Sequence, residues 1–410
     1  MSERLARDFA LLLALGAVLG LSGCGVQRTL AQTPVAADPG NWADVNPCFS
    51  HSGHRIAFLR TWPDGQEQLC ITDADLVRSS PLLEKELLEP DRGYSSTWRR
   101  YDSPETLAWS PDDGSIAFER VEWFTFENGD NLPGTALWEI SLRTGAIQPI
   151  ALHPRKYLGG FYYFRDPQWS PDGRYIAFCG EGMYGERALF VRPVTAPSPV
   201  AARPRYDFYS ESDWPAWQPM RPHRLAFRQS IRRSAAVVPV ETLRYLTPGD
   251  PSVAAAGELW RLAIAPAIAA MQPQPGHTVV PRIGQPAWSR HGFQLAFTVT
   301  PDATDYSRYE IWTLDLQSGK AGPAVVNLSG CLHPVWVDSN HIGAIQLSGH
   351  GWSVVEIDLR SRTVRKLGRI DSADCSWSPD RSRIVYASRS PGPGPLRPTT
   401  LRLFYTGLHR

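Results

Sequence analysis

The sequence predicts an all-β protein, a seven-bladed β-propeller of four-stranded antiparallel blades. Three observations predict it. A short motif, an aromatic anchor followed by a tight turn and a strand of the Ile-Ala-Phe kind, occurs seven times along the 410 residues. Glycine (33) and proline (36) make about one residue in six, so turns are frequent. Fifteen Trp, 14 Tyr and 15 Phe favour strands over helices. A hydrophobic content of 42% can build a core and excludes a disordered chain. Forty-two basic against 41 acidic residues exclude nucleic-acid binding on bulk charge.

In chain order, the first element is an export signal. Residues 9–21 are an unbroken apolar or glycine run behind Arg4 and Arg7. The run is shorter than the ~20 residues that span a bilayer and reads as a secretory signal. It ends at Leu21-Ser22-Gly23-Cys24, which resembles the bacterial lipoprotein box. That resemblance implies cleavage before Cys24 and acylation of its sulfur, an anchor of several acyl chains. With Gly25 next, it implies the outer membrane where the organism has one. The expected organisation is a signal peptide over 1–23, a lipidated Cys24 and polar tether over 24–44, and a propeller over 45–410. Five other cysteines remain, and their spacings match no zinc pattern. An odd number leaves at least one thiol unpaired. Cys48–Cys375 is one possible disulfide, with Cys48–Cys70 and Cys331–Cys375 as rivals.

The seven anchors are Phe49, Trp109, Trp169, Trp217, Trp288, Trp336 and Trp377, at intervals of 41 to 71 residues. The clearest copy runs from Pro167-Gln168-Trp169-Ser170-Pro171-Asp172-Gly173 to Ile176-Ala177-Phe178. The anchor ends a first strand. Proline fixes φ, aspartate bonds backbone N–H groups, and glycine takes the positive φ of the turn. Ile-Ala-Phe forms a second strand, with a small residue between two large ones. Third strands are expected at Leu69–Ile71, Leu137–Ile140, Leu189–Val191, Leu259–Leu262, Ile311–Leu314, Val354–Ile357 and Leu401–Phe404. Fourth strands are expected at segments such as Gln148–Ile150 and Val325–Leu328. Ser79-Ser80-Pro81 before an apolar 82–88 predicts a covering helix. Four strands per unit make a propeller blade, in which the anchors fill the layer between neighbours.

This repeat resembles the TolB-type propeller repeat, related to WD-repeat blades, and also the propeller half of prolyl-oligopeptidase-type enzymes. The resemblance covers Asp44 to the C-terminus and implies a place in the bacterial envelope. A closed ring needs a fourth strand for the last unit, and the segment within 25–46 is expected to supply it.

Short turns after the anchors leave one face plain. The longer B–C and D–A excursions are rich in aromatic and charged residues, the composition of a recognition surface. The candidate binding residues there are Trp123, Phe124, Phe126, Tyr162, Tyr163, Arg165, Asp166, Tyr206, Tyr209 and Asp213. Asp102, Asp166, Asp213 and Asp374 precede their anchors and are candidates for the channel mouth, where a ring of acids would suit a cation. No Gly-x-Ser-x-Gly elbow, His-Glu-x-x-His, Cys-x-x-Cys or phosphate loop is present. The reading is a monomeric, non-catalytic envelope scaffold that binds an envelope protein or peptide, with no catalytic residues, metal or cofactor and no nucleic-acid partner. The alternative is a carbohydrate-active lyase or glycosidase, or a peptide-cleaving enzyme, with its site at the channel mouth.

Overall fold

The computed structural model describes residues 42–62, 66–77, 79–82, 86–87, 107–125, 131–152, 161–182, 187–195, 210–231, 240–247, 257–261, 282–301, 305–349, 351–389 and 399–408. The signal run, Cys24 and most of the tether lie outside them. Strands follow the seven anchors. The first unit holds β1 (Ala43–Phe49), β2 (Arg55–Thr61), β3 (Gln66–Asp73), β4 (Ser79–Pro81) and β5 (Glu86–Leu87). The second holds β6 (Leu107–Trp109), β7 (Ser115–Thr125), β8 (Asn131–Ser141) and β9 (Ile147–Ala151). The third holds β10 (Phe161–Trp169), β11 (Tyr175–Gly182) and β12 (Arg187–Pro193). The fourth holds β13 (Ser210–Trp217), β14 (Leu225–Ile231), β15 (Val240–Leu246) and β16 (Gly257–Arg261). The fifth holds β17 (Arg282–Ile283), β18 (Ala287–Trp288), β19 (Gln294–Thr300), a 3₁₀ turn over Tyr306–Arg308, β20 (Glu310–Asp315) and β21 (Lys320–Pro323). The sixth holds β22 (Cys331–Trp336), β23 (His341–Ser348), β24 (Gly351–Asp358) and β25 (Thr363–Ile370). The seventh holds β26 (Cys375–Trp377), β27 (Arg383–Arg389) and β28 (Thr399–Tyr405). Pairing within each unit is antiparallel between neighbours in the chain.

Two parallel bridges join units. Ala43 of β1 pairs with Thr399 of β28, and Tyr163 of β10 pairs with Thr135 of β8. Both first-strand residues stand six before their anchors. The first unit therefore meets the seventh at the same repeat position at which the third meets the second.

The anchors interlock the units. Trp109 shares a core with Ala57, Trp169 with Ala117, Trp217 with Ala177, Trp288 with Ala226 and Trp336 with Ala296. In every case the small residue is the centre of the preceding unit's second strand. For Trp377 that place is Gly343, where an added Cβ would lie 2.6 Å from the indole. The smaller Phe49 shares its core with the larger Val385 of the last unit. Four indoles also donate to the carbonyl just before the previous anchor: Trp109 to Cys48 at 3.0 Å, Trp217 to Gln168 at 3.1 Å, Trp288 to Ala216 at 2.9 Å and Trp336 to Ala287 at 3.0 Å. Each such bond contributes about 1 kcal/mol net.

The serine of the turn has a role that the sequence reading left out. Ser110, Ser170 and Ser378 are buried. Each hydroxyl donates to the aspartate two residues on, at 2.6, 2.6 and 2.5 Å. Each also accepts the N–H five residues on, at 2.9 Å. In five of the seven units the fourth residue after the anchor takes positive φ: 73° at Gly53, 56° at Asp113, 69° at Gly173, 70° at Gly292 and 65° at Arg381. Partial burial alone would raise the Asp380 carboxyl, but bonds from Ser378 and Ser382 hold it at about 2.

Four expectations are corrected. Residues 79–81 and 86–87 are β4 and β5, not a helix; both pair with the edge of β3, whose open backbone groups outweigh the local helix signal. The third strand of the fourth unit is Val240–Leu246, and the expected 259–262 strand is its fourth. The fourth strand of the fifth unit is Lys320–Pro323; Val326, expected in it, is 63% exposed in a turn. All five described cysteines are free, so none of the proposed disulfides forms. Cys48 and Cys375 face one cavity without bridging it. Burial pushes the thiols up, Cys70 to about 11 and Cys331 to about 12.

Candidate functional site

First strands β1, β10, β13, β18, β22 and β26 line an open cavity of about 510 Å³. Prolines 47, 215, 286 and 334 stand on its wall, two residues before their anchors. On a first strand, one backbone edge faces the cavity without a partner strand, so a missing N–H costs little there. One residue earlier the backbone kinks. Asn46, Asp166, Trp214 and His333 have φ of 50°, 54°, 58° and 51°, and the register of β1, β10, β13 and β22 shifts across each of them. A bulge re-aims its side chain, and those of Trp214 and His333 line the end of the cavity opposite the Ser-Pro-Asp turns. Such backbone costs about 1–3 kcal/mol per residue in a non-glycine and concentrates at functional sites.

At that end a narrow cleft gathers Arg187, Trp214, Arg282, Gln285, Tyr309 and His333 from five separate stretches of chain. Arg187 is held by two carboxylates, Glu181 at 3.1 Å and Asp213 at 3.0 Å. Arg282 has no carboxylate partner among the described residues. Beneath the cleft runs a chain of alternating charge. Arg165 pairs with Glu181 at 2.9 Å, Arg187 links Glu181 to Asp213, and Arg228 links Asp213 to Glu241. Arg228 and Glu241 are essentially without solvent exposure and form a two-pronged bond of 2.6 and 2.9 Å. Burial works to raise the Asp213 carboxyl, but Arg228 and Arg187 together hold it below the ordinary range.

The structure distributes the sequence-predicted site residues unevenly. Trp123 and Phe124 are in β7, and Tyr162, Tyr163, Arg165 and Asp166 are in β10. These positions are strand rather than loop, because the hairpins extend beyond the repeat motif. Phe126, Tyr206, Tyr209 and Asp102 lie outside the described residues. Asp213, expected on the binding face, has a side chain only 4% exposed and serves the ionic chain. Asp166 is buried, and its own N–H donates to Glu119 at 3.2 Å. Asp374 accepts the N–H of Asn46 at 3.0 Å. Among the described residues no three His, Cys, Asp or Glu side chains are grouped to hold a metal ion. The sequence reading missed Arg187, Trp214 as a bulge residue, Arg282, Tyr309 and His333. The one signal for Trp214 and His333 was their offset of three from an anchor.

No family model matches the sequence, and no curated protein matches it. Solved structures do. The β-propeller domain of the trilobed protease from Pyrococcus furiosus, described as having an open velcro topology, is 11% identical with a TM-score of 0.55; the match covers 90% of this chain and 96% of that one. An oligogalacturonate lyase in complex with manganese is 11% identical with a TM-score of 0.54, covering 85% and 87%. TolB from Acinetobacter baumannii is 16% identical with a TM-score of 0.41, and this chain spans 64% of its length. At such identities the likeness is one of fold. The chain has an all-β, propeller-type architecture.

Proposed function

We propose that the chain is a non-catalytic binding propeller of the bacterial envelope, exported and anchored through a lipid on Cys24. In this reading its strands form seven four-stranded blades in a closed ring. The seven anchor contacts, which return from Val385 to Phe49, support the ring. So does the match between the Ala43–Thr399 and Tyr163–Thr135 bridges. The loop-side mouth binds an envelope protein or peptide, through the cleft and through a rim that includes Trp123, Phe124, Tyr162 and Tyr163.

The observation that carries this reading is the cleft itself. Arg282, with no carboxylate partner among the described residues, lines the cleft with two aromatic residues, Tyr309 and Trp214, the latter on left-handed backbone. A guanidinium with aromatic neighbours suits a peptide carboxylate or carbonyl. Asp213, the partner of the cleft's Arg187, is committed to two arginines as an acceptor, and Glu241 to Arg228 and the Ile283 N–H, which supports binding over acid–base chemistry. Cross-linked capture from envelope membranes tests the reading. A discrete partner is expected with the native chain and is lost with Arg282→Glu, and with Trp123, Tyr162 and Tyr163 changed to alanine, while the melting temperature holds. Capture retained by both variants removes this face. The lyase likeness favours a second reading, an enzyme at the same mouth. Turnover of oligogalacturonate that disappears in Arg282→Glu would replace the first reading with it.

A further inference from the structure

The opposite end of the cavity, the plain face of short turns, holds a different pair of groups. Arg290 and Arg381 both line the cavity, and no carboxylate is among the residues that line it with them. The two guanidiniums feel each other. Arg381 is pushed down to about 10, first by burial and then by the charge of Arg290, against a smaller pull from Asp380. The Asp380 carboxylate is already taken by Ser378 and Ser382. Arg381 donates only weakly to protein carbonyls, at 3.4 Å to Trp336 and 3.3 Å to Ser378. It also occupies the turn position that is glycine in three other copies, with φ of 65°. A side chain there costs strain, and a second positive charge beside it costs more. Both costs would vanish with glycine. Around the pair, the cavity wall mixes prolines and small apolar residues with Gln168, Gln285, His333 and Ser376, and the buried anchors Trp288, Trp336 and Trp377 lie at its edge. On the adjoining turns Met220 and Phe293 are each 54% exposed.

We propose that this turn-side mouth is an anion site that takes a carboxylate of an acidic peptide segment between Arg290 and Arg381, with the peptide's apolar parts against Met220 and Phe293. Neither arginine belongs to the loop-side cleft, so this site stands or falls separately from that reading. The forked donors of arginine match a carboxylate in two-pronged geometry. The turn-side face thereby gains a partner surface of arginine, methionine and aromatic residues, the composition enriched in interfaces.

Tetraglutamate is the probe and tryptophan fluorescence of the full chain is the readout, because three indoles line the cavity. A saturable change is expected, weakened by added salt, with tetraglutamine inert. Arg381→Gly is expected to weaken tetraglutamate at least tenfold while the melting temperature stays level or rises. Arg290→Gln, which leaves the turn backbone alone, is expected to weaken it at least tenfold as well. No saturable change, equal binding of tetraglutamine, or affinity unchanged in both folded variants would overturn the proposal.

Discussion

At the residue scale, the informative feature is how volume is shared between units. Five junctions match Trp with Ala, one matches Trp with Gly, and the last matches Phe49 with Val385. The smaller anchor meets the larger partner, as close packing requires. Val385 is fully buried, so Val385→Ala should open a cavity and cost about 1–3 kcal/mol. Phe49→Trp alone should overpack the same place and cost a similar amount. Together they recreate the pairing of the other junctions, and the double variant should be more stable than either single one. Urea unfolding of the four chains measures the coupling; simple additivity would mean that the two side chains do not share a core. The anchors and their small partners were legible in the sequence because each lies in a repeated string. The serine was in the same string, yet its bond to Asp two residues on is a matter of turn geometry that composition does not express.

At the element scale, the fourth unit shows what periodicity hides. Strand β15 carries Glu241 and Arg244 within its apolar pattern, and the repeat instead points to Leu259–Leu262 as the third strand. Glu241 is fully buried, and it is there because Arg228, its diagonal neighbour across the β14–β15 pair, donates to both its oxygens. A buried ion pair looks like solvent-facing polarity in a sequence; only the pairing of β14 with β15 reveals it. The same holds for the cleft, whose members at 187, 214, 282, 309 and 333 are brought together by strand order alone. Removing one partner of such a network leaves charge uncompensated in the interior. Arg228→Met should therefore cost about 3–5 kcal/mol, since it strands Glu241 and half-strands Asp213. Changing Arg228 and Glu241 together to apolar residues should cost much less, although the N–H of Ile283, which Glu241 accepts at 3.2 Å, then loses its partner. Equal losses in the single and double variants, read by denaturant unfolding, would mean that the pair is not the source of the stability.

At the scale of the whole molecule, the question is what fastens the start of the chain to its end. Strand β1 makes three such contacts among the described residues: the backbone bridge from Ala43 to Thr399, the Asn46 N–H on the Asp374 carboxylate, and the Phe49 N–H on the Ser376 hydroxyl at 3.3 Å; behind it Arg383 donates to Gly53, Ala74 and Asp75. Asp44 adds a fourth tie within its own unit, a two-pronged bond to Arg60 of 2.7 and 2.9 Å. These ties begin at residue 43, so the tether before it should be dispensable for stability. Two deletions separate the cases. Loss of 25–41 should leave the melting temperature within about 2 °C, a surface-level effect. Loss of 25–46 removes the bridge, the cap on Asp374 and the partner of Arg60 together. At roughly 1–1.5 °C per kcal/mol for a chain this long, it should lower the melting temperature by about 4 °C or more. A ring held mainly by its apolar seam would lose little in either deletion, because Phe49 and Val385 stay in place. A large loss confined to the second deletion would instead assign the closure to the polar and backbone ties of β1, and make the first unit the place where unfolding starts.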